Sequence, residues 1–122
     1  MSDPNFIILY VKNATESAAF YARLLAKPAL DEAPNFAMFA LGGGLMLGLW
    51  AAHDVQPAAT PVGGAELAVA LGDKEAVRAC HARWQGLGVP VIQAPTEMDF
   101  GLTFTALDPD GHRLRVFAPH AG

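Results

Sequence analysis

The stretch FIILYVKNATESAAFYARLL, at residues 6–25, decides how this chain folds. Its first six residues are apolar and β-prone, which predicts a strand. Asn13 follows as a candidate helix N-cap, and Glu16, three residues later, completes a capping box. Tyr21 and Leu24 then recur at helical spacing, so the stretch predicts a strand followed at once by a helix.

The same pattern returns at an offset of 60 residues. The motif YARL at 21–24 matches HARW at 81–84, and the cap candidate Asn13 falls on Asp73. A second strand-like run, ELAVAL at 66–71, precedes the second cap. Shared element order and coincident caps indicate an internal repeat. We therefore expect an α+β fold of two βαβββ modules whose strands form a curved mixed sheet around a cup.

The organisation of the chain follows from this repeat. We expect a single domain, as is usual for 122 residues, with module one at 1–52, a linker at 53–64 and module two at 65–122. The linker is the run HDVQPAATPVGG, which is rich in Pro, Ala and Gly. Further strands are predicted at 35–41, 45–51, 91–93, 102–107 and 114–117. Turns are predicted at Gly42–Gly44 and at the DPDG of 108–111, and a loop at 94–101.

Composition narrows the classes of function. Hydrophobic residues make up 52% of the chain and charged residues 16%, which is globular, and the low charge hints at apolar surface hidden by a partner subunit. The net charge of -4 without a basic block speaks against nucleic acid or an anionic membrane as partner. Cys80 is the single cysteine, and no basic leader or membrane-length apolar run is visible. These features predict a cytoplasmic protein.

Two stretches resemble a known superfamily. Residues 8–25 resemble the opening strand and helix of the vicinal oxygen chelate superfamily, and TALDPDGHRLRVF at 105–117 resembles its closing hairpin. That superfamily includes glyoxalase I, ring-cleaving dioxygenases and bleomycin-resistance proteins. A closer resemblance, to phenazine antibiotic-resistance proteins, is carried by FAMFA at 36–40, LGLW at 47–50 and DFGLTF at 99–104.

The resemblance carries expectations about assembly and ligand. Phenazine-resistance proteins are dimers that bind a flat aromatic antibiotic without a metal. The resemblance therefore implies a homodimer in which Phe6 and Gly48 of one chain lie opposite Glu66 and Arg115 of the other.

Three of the four metal positions of the superfamily fall on residues that cannot ligate a metal. Carried onto this chain they are Phe6, Gly48, Glu66 and Arg115, of which only Glu66 offers a ligand atom. A shift of one residue yields no ligand set either. We therefore expect no metal and no cofactor. We predict instead that Glu66 and Arg115 pair, and that this pair offers a polar handle to a carboxylate or amide of the ligand.

Strand alternation supplies the candidate pocket residues. Trp50 shares a strand face with Gly48 and Met46, and a Trp beside a Gly leaves room for a planar ring to stack. Met46 is adaptable, and Phe100 in the predicted loop is a candidate aromatic lid. Packing in the core is the alternative for each apolar residue. The predicted ligand-binding residues are Trp50, Phe6, Met46, Gly48, Glu66, Phe100 and Arg115.

No catalytic residue is assigned. The chain contains no G-x-S-x-G elbow, no G-x-G-x-x-G fingerprint and no phosphate-binding P-loop. We therefore expect a metal-free binding protein that sequesters a planar aromatic compound such as an antibiotic. One alternative is a diverged lyase, isomerase or dioxygenase of the same superfamily. Another is a structural or regulatory dimer whose cup is filled by its own side chains.

Overall fold

The computed structural model describes residues 5–120 of the chain. These described residues separate into two compact units, which meet in the chain between Pro61 and Val62. Each unit runs strand, helix and then three strands, and its strands form one four-stranded mixed sheet. The predicted α+β class with two βαβββ repeats is therefore confirmed. The single domain, its module bounds and its linker stay predictions, and the expected absence of a leader falls largely on residues 1–4, outside the described range.

The first unit places one helix on one face of its sheet. Its elements are β1 Phe6–Val11, α1 Ala14–Leu25, β2 Asp31–Ala33, β3 Phe36–Ala40 and β4 Met46–Ala51. The strand order is β1-β4-β3-β2, with β1 parallel to β4 and the other pairs antiparallel. Helix α1 packs against β3 and β4, and the buried side chains of this face include Phe39, Leu47 and Leu49.

The boundaries of α1 have local causes. The Asn13 side chain accepts a hydrogen bond of 3.0 Å from the backbone N–H of Glu16, which confirms the predicted N-cap. The helix ends because Ala26 adopts the left-handed conformation, with φ 56° and ψ 42°, and its N–H donates back to the Ala22 carbonyl. Pro28 follows two residues later and prevents the helix from resuming.

The second unit repeats this plan. Its elements are β5 Glu66–Ala70, α2 Lys74–Gly86, β6 Val91–Met98, β7 Gly101–Leu107 and β8 Arg113–Pro119, and its strand order is β5-β8-β7-β6. Asp73 caps α2 by accepting 2.8 Å from the Ala76 N–H, as predicted. Trp84 is buried against Phe104, with ring centroids 5.4 Å apart, so this tryptophan belongs to the core.

Two strands differ from the sequence prediction. The loop predicted at 94–101 is wrong, because β6 continues to Met98 and only Asp99 and Phe100 form the turn to β7. Pro95 lies within β6; because β6 is an edge strand whose register shifts along β7, it tolerates the missing N–H. The short strand β2 was missed because three residues, Asp-Glu-Ala, have no β-prone character.

Candidate functional site on two open sheet faces

The face of the first sheet opposite α1 is lined by aromatic and apolar side chains. Neighbouring strands align Phe6 with Met46, Tyr10 with Trp50, and Phe36 with Trp50. We call this surface the aromatic face; its residues are Phe6, Ile8, Tyr10, Phe36, Met38, Met46, Gly48 and Trp50. On β1, Phe6 is 40% exposed, Ile8 45% and Tyr10 38%. The structure therefore brings four sequence candidates, Phe6, Met46, Gly48 and Trp50, onto one surface.

Gly48 lies at the centre of the aromatic face, beneath two phenyl rings. A Cβ added at Gly48 would lie 2.9 Å from Cζ of Phe36 and 2.9 Å from Cε1 of Phe6. The room predicted over Gly48 is therefore filled by side chains of the protein. Phe36 was missing from the sequence candidates. Strand alternation within β3 puts Phe36 on the same face as Met38, but only the strand register brings Phe36 beside Trp50.

The indole of Trp50 is held from two sides. Its ring meets Tyr10 edge-on, with centroids 6.4 Å apart and planes at 76°. Its Nε1–H donates to Oδ2 of Asp54 at 3.3 Å. Asp54 lies in the short 3₁₀ turn after β4, within the segment predicted only as a linker. Trp50 is thus partly exposed and oriented, which suits a stacking surface better than a core position.

The open face of the second sheet carries a polar cluster of Glu66, Gln93, Thr103, Thr105 and Arg115. Arg115 donates from Nε to Oε1 of Glu66 at 2.7 Å and from Nη2 to Oε2 at 2.9 Å. This bidentate geometry is the strong form of the carboxylate–guanidinium interaction. The predicted pairing of Glu66 with Arg115 is confirmed, and both partners belong to the same chain.

Neighbouring side chains accept hydrogen bonds from Nη1 of Arg115. Arg115 Nη1 donates to Thr103 Oγ1 at 3.2 Å and to Gln93 Oε1 at 3.4 Å, and Thr105 Oγ1 donates to Gln93 Oε1 at 2.9 Å. The hydrogen bonds from Arg115 hold the pKa of Glu66 below its usual value of 4.5, against the opposing effect of burial. Glu66 is therefore an ionised carboxylate committed to Arg115 at neutral pH, a poor general base.

Two further features lie near this cluster. Phe100, in the turn between β6 and β7, is exposed and meets Phe117 edge-on at 5.7 Å. Phe117 pairs with Thr103 across β7 and β8, so it shares the open face of the sheet. A depression of about 620 Å³ opens beside Glu66; it is lined by Gly63, Gly64, Ala65, Glu66, Ala68 and Arg113.

The superfamily's metal positions do not form a donor set in this chain. Phe6 and Gly48 supply no ligand atom, and Glu66 and Arg115 bind each other. Within residues 5–120, no group of three His, Cys, Asp or Glu side chains comes together as a metal site. The residues present do not fit a divalent ion, and we assign no metal-dependent step to them. In the same described range, no helix has the length and apolar character required to cross a membrane.

Comparisons with known proteins identify the family of the chain. Residues 4–116 match the family model for the Glyoxalase/Bleomycin resistance protein/Dioxygenase superfamily. Over 116 residues the chain is 29% identical to the phenazine antibiotic resistance protein EhpR of Enterobacter agglomerans, covering 93% of this chain and 89% of that protein.

Solved structures share the fold. An NMR structure of a protein from Agrobacterium tumefaciens is 44% identical, with a TM-score of 0.89, and the match covers 99% of this chain and 100% of that one. Lactoylglutathione lyase from the same organism is 20% identical, with a TM-score of 0.77 and coverage of 97% and 94%, a likeness of fold alone. The resemblance predicted from the sequence is confirmed: the chain belongs to the Glyoxalase/Bleomycin resistance protein/Dioxygenase superfamily.

Proposed function

We propose that this protein binds a planar aromatic small molecule and sequesters it without turnover, in the manner of a phenazine- or bleomycin-type resistance protein. The observation that carries the proposal is the aromatic face, where Phe6, Ile8 and Tyr10 are each more than a third exposed beside Trp50. A contiguous exposed apolar surface of this kind marks a binding site more often than an ordinary protein exterior. The name of the relative EhpR supports the same class of ligand.

The proposed binding residues act in two ways. On the aromatic face, Trp50, Phe6 and Met46 supply stacking and dispersion contacts. Gly48 lets the rings of Phe6 and Phe36 lie close to the sheet. Each aromatic stack contributes about 0.5–1.5 kcal/mol beyond the area buried. Within the second unit, Glu66, Arg115 and Phe100 are proposed as ligand-binding residues in their own right, through a polar pair and an exposed ring. No metal ion or cofactor takes part in the proposal.

Orientation of Trp50 favours tight binding. The contacts with Tyr10 and Asp54 restrict the indole before the ligand arrives, so less side-chain entropy is lost on association. Sequestration requires affinity and stoichiometry rather than a catalytic group. The commitment of Glu66 to Arg115 agrees with this requirement, because it leaves no free carboxylate in the polar cluster.

Tryptophan fluorescence tests the proposal directly, because the two tryptophans lie in different environments. Trp50 is on the aromatic face, whereas Trp84 is only 5% exposed in the core of the second unit. Titration with a panel of phenazine-like compounds is expected to quench the wild type and a Trp84→Phe variant to saturation at one compound per chain. The matched Trp50→Phe variant should show no saturable quenching, which also controls for absorption by the compounds.

Two results would contradict the proposal. An absence of saturable quenching across the panel would favour a structural or regulatory dimer. A stoichiometric divalent metal in the purified protein, or chemical conversion of a bound compound, would favour a lyase, isomerase or dioxygenase. Metal analysis and mass spectrometry of the recovered compound distinguish these outcomes.

A further inference from the structure

We propose that Gly48 is a specificity-determining residue, because it seats the rings of Phe6 and Phe36 against the sheet as the floor on which the ligand lies. This inference rests on the proposed function and names a feature of the same site. The ligand class that it selects is flat fused-ring compounds that lie across both seated rings.

The backbone of Gly48 does not explain why glycine stands there. Gly48 is in the middle of β4, and it is not among the glycines with positive φ in the described range. Any residue adopts such extended backbone, and glycine weakens a strand interior. The requirement for glycine must therefore come from the lack of room for a side chain.

The space above Gly48 is taken by two ring ends. A Cβ there would lie 2.9 Å from Phe36 Cζ, 3.1 Å from Phe36 Cε1 and 2.9 Å from Phe6 Cε1. Real Cβ atoms essentially never approach other heavy atoms more closely than 3.0 Å. The rings come from opposite neighbours of β4, since Phe6 is on β1 and Phe36 on β3. Gly48 thus allows two side chains from flanking strands to lie low over one point of the sheet.

A side chain at this point would lift the rings without breaking the sheet. The atoms in contact are the far ends of flexible side chains, and no backbone atom is among the three nearest to the added Cβ. Lifted rings would project from the face on which a flat ligand stacks. The ligand would then lose area on both rings, although every strand pair around Gly48 remains possible.

The test compares Gly48→Ala with a matched control, Gly42→Ala. Gly42 lies in the turn between β3 and β4, and a Cβ there meets nothing within 4 Å. In a phenazine titration, Gly48→Ala is expected to weaken binding about tenfold, the scale of one or two lost aromatic stacks. Gly42→Ala should bind like the wild type.

A double-mutant cycle tests whether the effect passes through the rings. Phe6→Leu with Phe36→Leu removes the ring atoms that approach Gly48, so Gly48→Ala should cause no further loss in that background. An equal loss in both backgrounds would overturn the inference, as would wild-type affinity in Gly48→Ala itself.

A measurement on the wild-type protein decides the case even if Gly48→Ala does not fold. Nuclear Overhauser contacts between the Gly48 α-protons and the rings of Phe6 and Phe36 should persist in the phenazine complex, while the Trp50 indole resonance shifts. Disappearance of those contacts would mean that the ligand displaces the rings, which overturns the inference but not the proposed function. Failure of the wild type to bind any planar compound would overturn both.

Discussion

At the scale of single residues, the charge pair of the second sheet has a specific pH signature. Arg115 lowers the pKa of Glu66 in the folded protein, so the pair stabilises the fold at pH values above the usual carboxyl pKa of 4.5. This stabilisation is lost as the pH falls below that value and Glu66 becomes protonated. The Glu66 side chain is 30% exposed and that of Arg115 19%, so solvent reduces the contribution to about 1 kcal/mol.

We therefore expect Glu66→Gln to lower the free energy of unfolding by about 1 kcal/mol near neutral pH. The difference from wild type should shrink in acid, because protonation removes the same charge from Glu66. Urea denaturation over a pH series measures both effects. Glu75→Gln is the control, because the Glu75 side chain is 89% exposed and its contact with Arg78 on α2 is long, at 3.7 Å. A constant difference at all pH values would refute the charge-pair explanation.

The same pair limits the chemistry open to the second sheet. Arg115 carries a permanent cation and occupies both oxygens of Glu66, so neither side chain is available to a metal ion. On the first sheet, Phe6 contributes ring surface and Gly48 contributes space.

At the scale of elements, the pairing of the start of β7 with the end of β8 depends on Gly101. This residue has φ +146°, a conformation that other residues rarely adopt, and an added Cβ would overlap the carbonyl oxygen of Ala118 in β8. The overlap is with backbone, which cannot move aside as a ring end can. At both Gly101 and Gly48, neighbouring atoms lie too close for a Cβ. A side chain is expected to cost more stability at Gly101, where those atoms belong to the backbone.

Gly101→Ala is expected to destabilise the protein by about 2 kcal/mol or more, because it combines an unfavourable φ with a backbone clash. Chemical denaturation measures the loss, and Gly72→Ala is the matched control, since a Cβ at Gly72 meets nothing within 4 Å. A loss no larger than that of the control would show that the start of β7 can shift to accept a side chain.

Both strands that were predicted poorly lie at sheet edges. Edge strand β6 contains Pro95 and two register shifts, and β2 is only three residues long. Edge position alone is not the cause, because the edge strands β1 and β5 were predicted close to their observed bounds. The local causes are a residue without an N–H in β6 and the short length of β2.

At the scale of the whole molecule, the apolar exposure of each unit supports a proposal about assembly. In the first unit, β1 is an edge strand with three exposed large apolar side chains, and in the second unit Val69 on the edge strand β5 is exposed. Monomeric proteins rarely leave such edges and patches open. We propose that the protein is a homodimer that covers part of this surface.

Sedimentation equilibrium is expected to give twice the chain mass of 12.9 kDa. Ile8→Lys places a charge in the exposed apolar row of β1 and should shift the equilibrium toward monomer, because burying an unpaired charge is costly. Leu30→Lys, in the loop before β2, is the control for an added charge at an exposed apolar position. A single-chain mass for the wild type at the concentrations used for ligand titration would contradict the dimer.

Local patterns in the sequence determined most of the element order, both helix N-caps, most strands, the shared face of Trp50, Gly48 and Met46, and the lack of a metal-ligand atom at Phe6, Gly48 and Arg115. These properties depend on residue chemistry and on spacing within a few residues. Tertiary structure decided that Phe36 joins Phe6 over Gly48, that Gln93 and Thr103 complete the bonding of Arg115, and that β6 runs to Met98. Those contacts depend on strand register and on ring positions across neighbouring strands, which bring together residues far apart in the chain.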